Sequence, residues 1–185
     1  QVLASTLATC WKAMQTVDDD WEEWAAEPAS LQEHSLVDEE SAIHAQILLS
    51  EMIRLRGALP TVLPVVEQAI GCGDWKIHCA ALAALECCVE AVPISFAPHV
   101  ASSVQAALQV SDNPRVEFQA VRLLGIICET STIEESMAAL ILERLARATH
   151  SPCSKVAAMA CQALVSYSRP ADPKIERTVV PYLPD

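Results

Sequence analysis

Positive charge is scarce in this chain. Its 185 residues hold 12 Lys plus Arg against 24 Asp plus Glu, a formal net charge of −12. Neutralising a phosphate backbone or an anionic bilayer takes clustered Lys and Arg, and no such cluster exists, so direct nucleic-acid binding is not expected. Glycine is scarcer still. Only Gly57, Gly71, Gly73 and Gly125 occur, while Ala and Leu abound, which disfavours turn-rich β folds and glycine-loop nucleotide folds and points to helices. Long apolar runs are missing too: stretches such as 79–85 fall far short of the ~20 residues a membrane-spanning helix needs, and no membrane insertion is expected. The opening Gln1-Val2-Leu3, with Lys12 as the first positive charge, does not read as a signal peptide, and the expectation is of an excised interior piece.

What the chain does have is apolar matter, 52% of its residues against 19% charged, enough for a real core. Its eight cysteines (Cys10, Cys72, Cys79, Cys87, Cys88, Cys128, Cys153 and Cys161) fall inside helical apolar patterns and include an adjacent pair, so they read as reduced cytosolic or nuclear thiols. Cys79, Cys128 and Cys161 suit small buried positions. Metal-ligand spacing is lacking, because Cys72, Cys79, Cys87 and Cys88 form no Cys-x-x-Cys pair, and neither a metal nor another cofactor is expected. Gly71-Cys72-Gly73 follows no strand and precedes no Gly-Lys-Ser, so it is a helix stop and not a phosphate loop. His78 and Cys79 point about 100° apart on a helix and make no nucleophile–base dyad. An enzyme is not indicated.

The acidity is concentrated. Between Lys12 and Arg54 there is no Lys or Arg, and residues 18–40 carry ten carboxylates: Asp18, Asp19, Asp20, Glu22, Glu23, Glu27, Glu33, Asp38, Glu39 and Glu40. Carboxylates this dense repel within a Debye length of roughly 8 Å at physiological salt, so the segment is expected to stay solvated and extended unless cations neutralise it. It is either a solubilising linker or a bait for a basic partner. Trp21 and Trp24 either tuck against a neighbouring helix or offer stacking faces to a partner's Arg. Asp18, Asp19, Asp20, Trp21, Glu22, Glu23 and Trp24 are the candidate binding residues. A further alternative has the loop folding back onto the chain's own basic residues, such as Arg115 or Lys155, as an autoinhibitory cover.

Upstream, Leu3, Leu7, Cys10, Trp11 and Met14 form an amphipathic helical stripe. Downstream come helix pairs. The first helix runs from about residue 39 to Arg56 with Ile43, Ile47, Met52 and Leu55 as its expected apolar face, turns at Gly57, and resumes from Leu59 to about Ile70. Three later helices then start alike, at Asp74-Trp75-Lys76-Ile77, Asn113-Pro114-Arg115-Val116 and Ser154-Lys155-Val156. The offsets are 39 and 40 residues. Asp74, Asp112 or Asn113, and Ser151 can cap these starts, and Pro114 and Pro152 suit a first turn. Each is followed by a turn, near Pro93, Ser131-Thr132 or Pro170, and then by a second helix, for example 96–110 with Val100, Val104 and Leu108 inward, and 133–148 with Met137, Leu140, Ile141 and Leu145 inward. Pro64, Pro98 and Pro181 are expected to kink second helices. A helix pair cannot cover its own apolar face, so the fold class is all-α, an α-solenoid of stacked antiparallel hairpins, and a period near 40 favours HEAT or armadillo repeats. The expected organisation is a helix of a preceding repeat over 1–17, the acidic Trp-containing loop over 18–40, then repeats over 41–72, 73–111, 112–150 and, truncated, 151–185.

The stretch from Asp74 to Leu85, with Asp112 to Ala120 a repeat later, resembles the HEAT repeats of importin-beta type karyopherins, most closely the importin five branch. The preceding helix, the acidic Trp loop, Leu59-Pro60 to Leu63-Pro64 and the ending Pro181-Tyr182-Leu183 fit the same order. The resemblance implies an interior segment of a nuclear transport receptor, a monomer shuttling between cytoplasm and nucleus, whose superhelix takes basic cargo or nuclear localisation signals and Ran-GTP inside and Phe-Gly nucleoporins outside. It also implies possible concave-face contacts at Glu67, Glu134, Glu135 and Glu143. Where HEAT repeats often carry Arg after the Val of this motif, the chain has His78, Glu117 and Ala157, so packing is expected to rest on apolar contacts and not on an Asp–Arg ladder. A generic HEAT scaffold or regulatory subunit is the alternative reading.

Overall fold

The computed structural model describes residues 2–17, 19–27, 40–109, 111–131 and 133–168. The first helices are α1 (Val2–Ala13), the short α2 (Trp21–Ala26), α3 (Glu40–Arg56), α4 (Leu59–Ile70) and α5 (Trp75–Ala91). They are followed by α6 (Pro93–Phe96), a 3-10 turn (Ala97–His99), α7 (Val100–Ala107), α8 (Pro114–Thr130), α9 (Glu135–Ala148) and α10 (Ser154–Ser168). No strand occurs among the described residues.

The starts follow from local chemistry. Asp74 accepts from the Lys76 amide at 2.8 Å, and Asn113 accepts from the amides of Arg115 and Val116 at 2.9 and 3.4 Å, which satisfies donors that a helix leaves unpaired. Pro114 takes the first helical position, where its missing N–H costs nothing. Gly57 closes the α3–α4 turn at φ +60°, a left-handed conformation open to glycine and strained for other residues.

Stacking makes the core. Helices α3, α5, α8 and α10 form one layer, each packed on the next, and α4, α7 and α9 lie against them as a second layer. Ala81, Ala120 and Ala160 are buried between helices that approach closely, with Leu85, Leu124 and Leu164 filling the space one turn on. At Gly125 an added Cβ would meet the Ala163 Cβ at 3.0 Å, so α8 and α10 touch nearly backbone to backbone there.

Several expectations need correcting. On α3 the buried face is Ala42, Ala45, Leu49, Met52 and Ile53, while Ile47 and Leu55 are 57% and 69% exposed. The bulky residues suggested the wrong stripe because close stacking selects the small ones. Leu140 on α9 is likewise outward, and Leu108 is only half-buried. The expected continuous helix over 96–110 breaks at Pro98 into a 3-10 turn, since proline lacks the amide and crowds the preceding turn. Pro64 stays inside α4, and Pro181 lies outside the described residues. Cys128 and Cys161 are half-buried, whereas Cys79 is buried.

Polar contacts between helices are also richer than the sequence suggested. Glu86 on α5, 3% exposed, meets the Arg122 guanidinium at 2.6 Å and accepts from Gln119 Nε2 at 2.6 Å, both on α8. Glu117 on α8 pairs with Arg144 on α9 at 2.9 Å. The first pair ties one hairpin to the next, and the second joins the two helices of one hairpin. Burial pushes the Glu86 carboxyl up to about 7 even though Arg122 pulls the other way.

Candidate functional site

The repeat sets three cations on one edge of the solenoid. Lys76, Arg115 and Lys155 each stand in the first turn of their helix, at the same register of α5, α8 and α10. The acidic segment lies across that edge. Asp19 Oδ1 meets Lys76 Nζ at 2.8 Å, and Glu27 Oε2 meets Lys155 Nζ at 3.0 Å, so the stretch from Asp19 to Glu27 bridges three helix starts.

Trp24 is the anchor. It is 5% exposed, with its ring edge-on to Phe118 of α8 at 5.6 Å and 87°. The Arg115 guanidinium carbon lies 5.2 Å from the indole centroid and the Lys155 ammonium 4.6 Å from it. Cations over an indole face are attracted by its quadrupole, by about 2 kcal/mol or more once desolvated, and both cations are buried here. Lys155 is 2% exposed, a position a charge tolerates only with partners of this kind. Ser154 Oγ donates to the Glu27 carbonyl at 3.4 Å, and the Cys153 thiol to the Ala25 carbonyl at 3.9 Å. The Asp19 pair is weaker, because the Asp19 side chain is 91% exposed and such pairs are worth about 0–1 kcal/mol.

The expected solvated, extended stretch is therefore partly a helix. Two of its carboxylates are neutralised by cations that follow much later in the chain, and Glu22 and Glu23 stand in the first turn of α2, where the helix dipole favours them. Trp24 takes the tucked position. Asp20, Glu22 and Glu23 point to solvent and Trp21 is half-buried, so the outward side of α2 is acidic and its inward side aromatic. Asp18 lies outside the described residues, as do Glu33, Asp38 and Glu39. Glu27, one of the ten carboxylates of 18–40 but not among the candidate binding residues, is a principal contact.

The remaining candidates lie elsewhere. Glu67 on α4 borders a shallow depression of about 200 Å³ with Leu63, Ile70, Ser102 and Gln109. Glu134 and Glu135 are exposed at the start of α9, and Glu143 pairs with Arg147 at 3.0 Å on its exposed side. All four belong to the α4–α7–α9 layer. An apolar groove of about 320 Å³ runs between α1, α3 and α4, lined by Leu7, Trp11, Leu49, Val62 and Val65. All eight cysteines are free thiols, and burial holds Cys79, Cys87 and Cys128 up to about 12, far from thiolate chemistry at neutral pH.

No protein-family model matches the sequence, and no curated protein matches it. Solved structures do. Kap121p bound to Pho4p superposes with a TM-score of 0.79 at 23% identity, covering 96% of this chain and 18% of that one. The karyopherin Kap121p bound to the SUMO protease Ulp1p gives 0.78 at 25%, and Kap121p bound to RanGTP gives 0.73 at 23%, with the same coverage. The fold is that of an importin-beta-like HEAT-repeat segment. The chain spans about a fifth of the karyopherins it matches, and the karyopherin-like stack of α3, α5, α8 and α10 is the frame on which the acidic helix is mounted.

Proposed function

We propose that this chain is a segment of a nuclear transport receptor in which the acidic helix receives basic segments of cargo or of Ran-GTP. The carrying observation is the pose of α2. Trp24 fixes the helix on the solenoid edge while Asp20, Glu22 and Glu23 remain in water, an anchored acidic face that attracts a basic partner over a Debye length and loses that attraction in salt. The reading is supported by the likeness to Kap121p, whose structures hold Pho4p, Ulp1p and RanGTP. Within it, residues 1–17 belong to a preceding repeat, 18–40 are an acidic insertion, and the repeats run over 41–72, 73–111 and 112–150 with a further one from 151. Glu67, Glu134, Glu135 and Glu143 supply a second, diffuse acidic surface. The apolar groove lined by Leu7, Trp11 and Val65 is the place for Phe-Gly nucleoporin side chains. The chain acts as a monomer, without catalysis, and shuttles between cytoplasm and nucleus.

The test is titration of the chain, and of a variant carrying Asp20→Asn, Glu22→Gln and Glu23→Gln, with a lysine-rich peptide at low and physiological salt. Binding weakened by both neutralisation and salt is expected. Equal binding by the two proteins would remove α2 from the interface and leave a HEAT scaffold with a solubilising insertion.

A further inference from the structure

Lys76, Arg115 and Lys155 bring to the acidic segment the same chemistry that a basic partner would bring: a guanidinium and an ammonium against the indole, and ammonium groups against carboxylates. We propose that this docking is an autoinhibitory contact, in which the solenoid's own cations occupy the stretch from Asp19 to Glu27 and a lysine- or arginine-rich segment of a partner binds it in competition with them, lifting α2 off the starts of α8 and α10. The proposal rests on the function given above and deepens it, since it states what the partner must displace.

Three features make the contact releasable. The helix α2 has six residues and no side-chain cap at its N-terminus, so it is far below the length that holds a helix on its own and depends on the surface it docks against. Its grip is graded: the Asp19–Lys76 end is open to water and salt, whereas at the other end the Lys155 ammonium is 1% exposed. The Glu27 side chain there is 58% exposed, so its carboxylate presents a face to a second cation while still paired with the first. Competition of this kind sets affinity through the fraction of molecules in which the strap is free. The outward Asp20, Glu22 and Glu23 recruit the partner before Trp24 moves.

The experiment follows amide hydrogen exchange over residues 21–27 of the whole chain, with and without a lysine-rich peptide whose binding is measured separately by calorimetry. Four proteins are compared: the native chain, Lys155→Met, Lys155→Arg and Arg147→Met. Methionine keeps a flexible stem over Trp24 and removes the charge. Arg147 is exposed on α9 and pairs with Glu143, so its variant corrects for the loss of one positive charge. In the native chain the peptide is expected to speed exchange at residues 24–27. Lys155→Met should exchange severalfold faster there without peptide and bind the peptide severalfold more tightly, Lys155→Arg should restore native values, and Arg147→Met should change neither. Peptide binding that leaves exchange at residues 24–27 unchanged or slower would overturn the competition and leave the acidic-helix function standing. If the peptide binds none of the four, the proposed function fails and the competition with it. Native exchange in Lys155→Met would show that cations do not hold the strap.

Discussion

At the scale of single residues, Trp24 and Glu86 show two ways in which a polar interior is kept. Around Trp24 the desolvation cost of the buried cations is offset by the indole, which both approach, and for Lys155 by the Glu27 carboxylate as well. Trp24→Ala should therefore cost about 3–5 kcal/mol in urea unfolding, through the lost ring and the cavity, and Trp24→Phe clearly less, because a phenyl ring keeps the edge contact with Phe118. A loss below about 1 kcal/mol for Trp24→Ala would show that α2 is not docked in solution. Glu86 carries a pH dependence. Its carboxyl is raised from 4.5 to about 7 in the folded chain by burial, so the fold holds the proton more tightly than the unfolded chain does. That contribution is fully present below about pH 4.5 and is lost as pH rises toward 7. Measured against Glu86→Gln, which cannot titrate, the native chain should lose relative stability across this window and run parallel above it; a flat difference would contradict the burial.

At the scale of helices, much was legible in the sequence, and the misses have causes. The 39- and 40-residue offsets, the Asp74 and Asn113 caps and the small residues Ala81, Ala120 and Ala160 gave the hairpins and their stacking, because these signals are local and repeat. The face of α3 was misread because alanine carries little weight in an apolar pattern, although close stacking selects it. The docked α2 was legible only as one alternative: its carboxylates repel locally, and the Lys155 that neutralises Glu27 follows 128 residues later. The pairs Glu86–Arg122 and Glu117–Arg144 were missed for the same reason, since neither is adjacent in sequence. Packing at α8 gives a direct check. Leu124→Ala should cost ~2–5 kcal/mol through a cavity and Ala120→Leu about 1–3 kcal/mol through overpacking, both read from thermal or urea unfolding. Gly125→Val should match or exceed the latter, as its first carbon already meets Ala163.

At the scale of the whole molecule, stacked hairpins contact only their neighbours, so stability is a sum of repeats and interfaces, and unfolding can begin at an end. The strap breaks that rule, because the stretch from Asp19 to Glu27 reaches α5, α8 and α10 together. Trp24→Ala should accordingly lower the protection of α10 amides more than those of α5, which hydrogen exchange across the chain would measure; uniform loss would mean that the solenoid already unfolds as one unit. The position of Trp24 also has an optical consequence. Trp11, Trp21 and Trp75 are partly open to water, and Trp24 alone of the four is buried, with two cations beside its ring. Its emission should be blue-shifted while docked and move to the red on release, so the intrinsic fluorescence of the unlabelled chain gauges how far the acidic helix has left the solenoid.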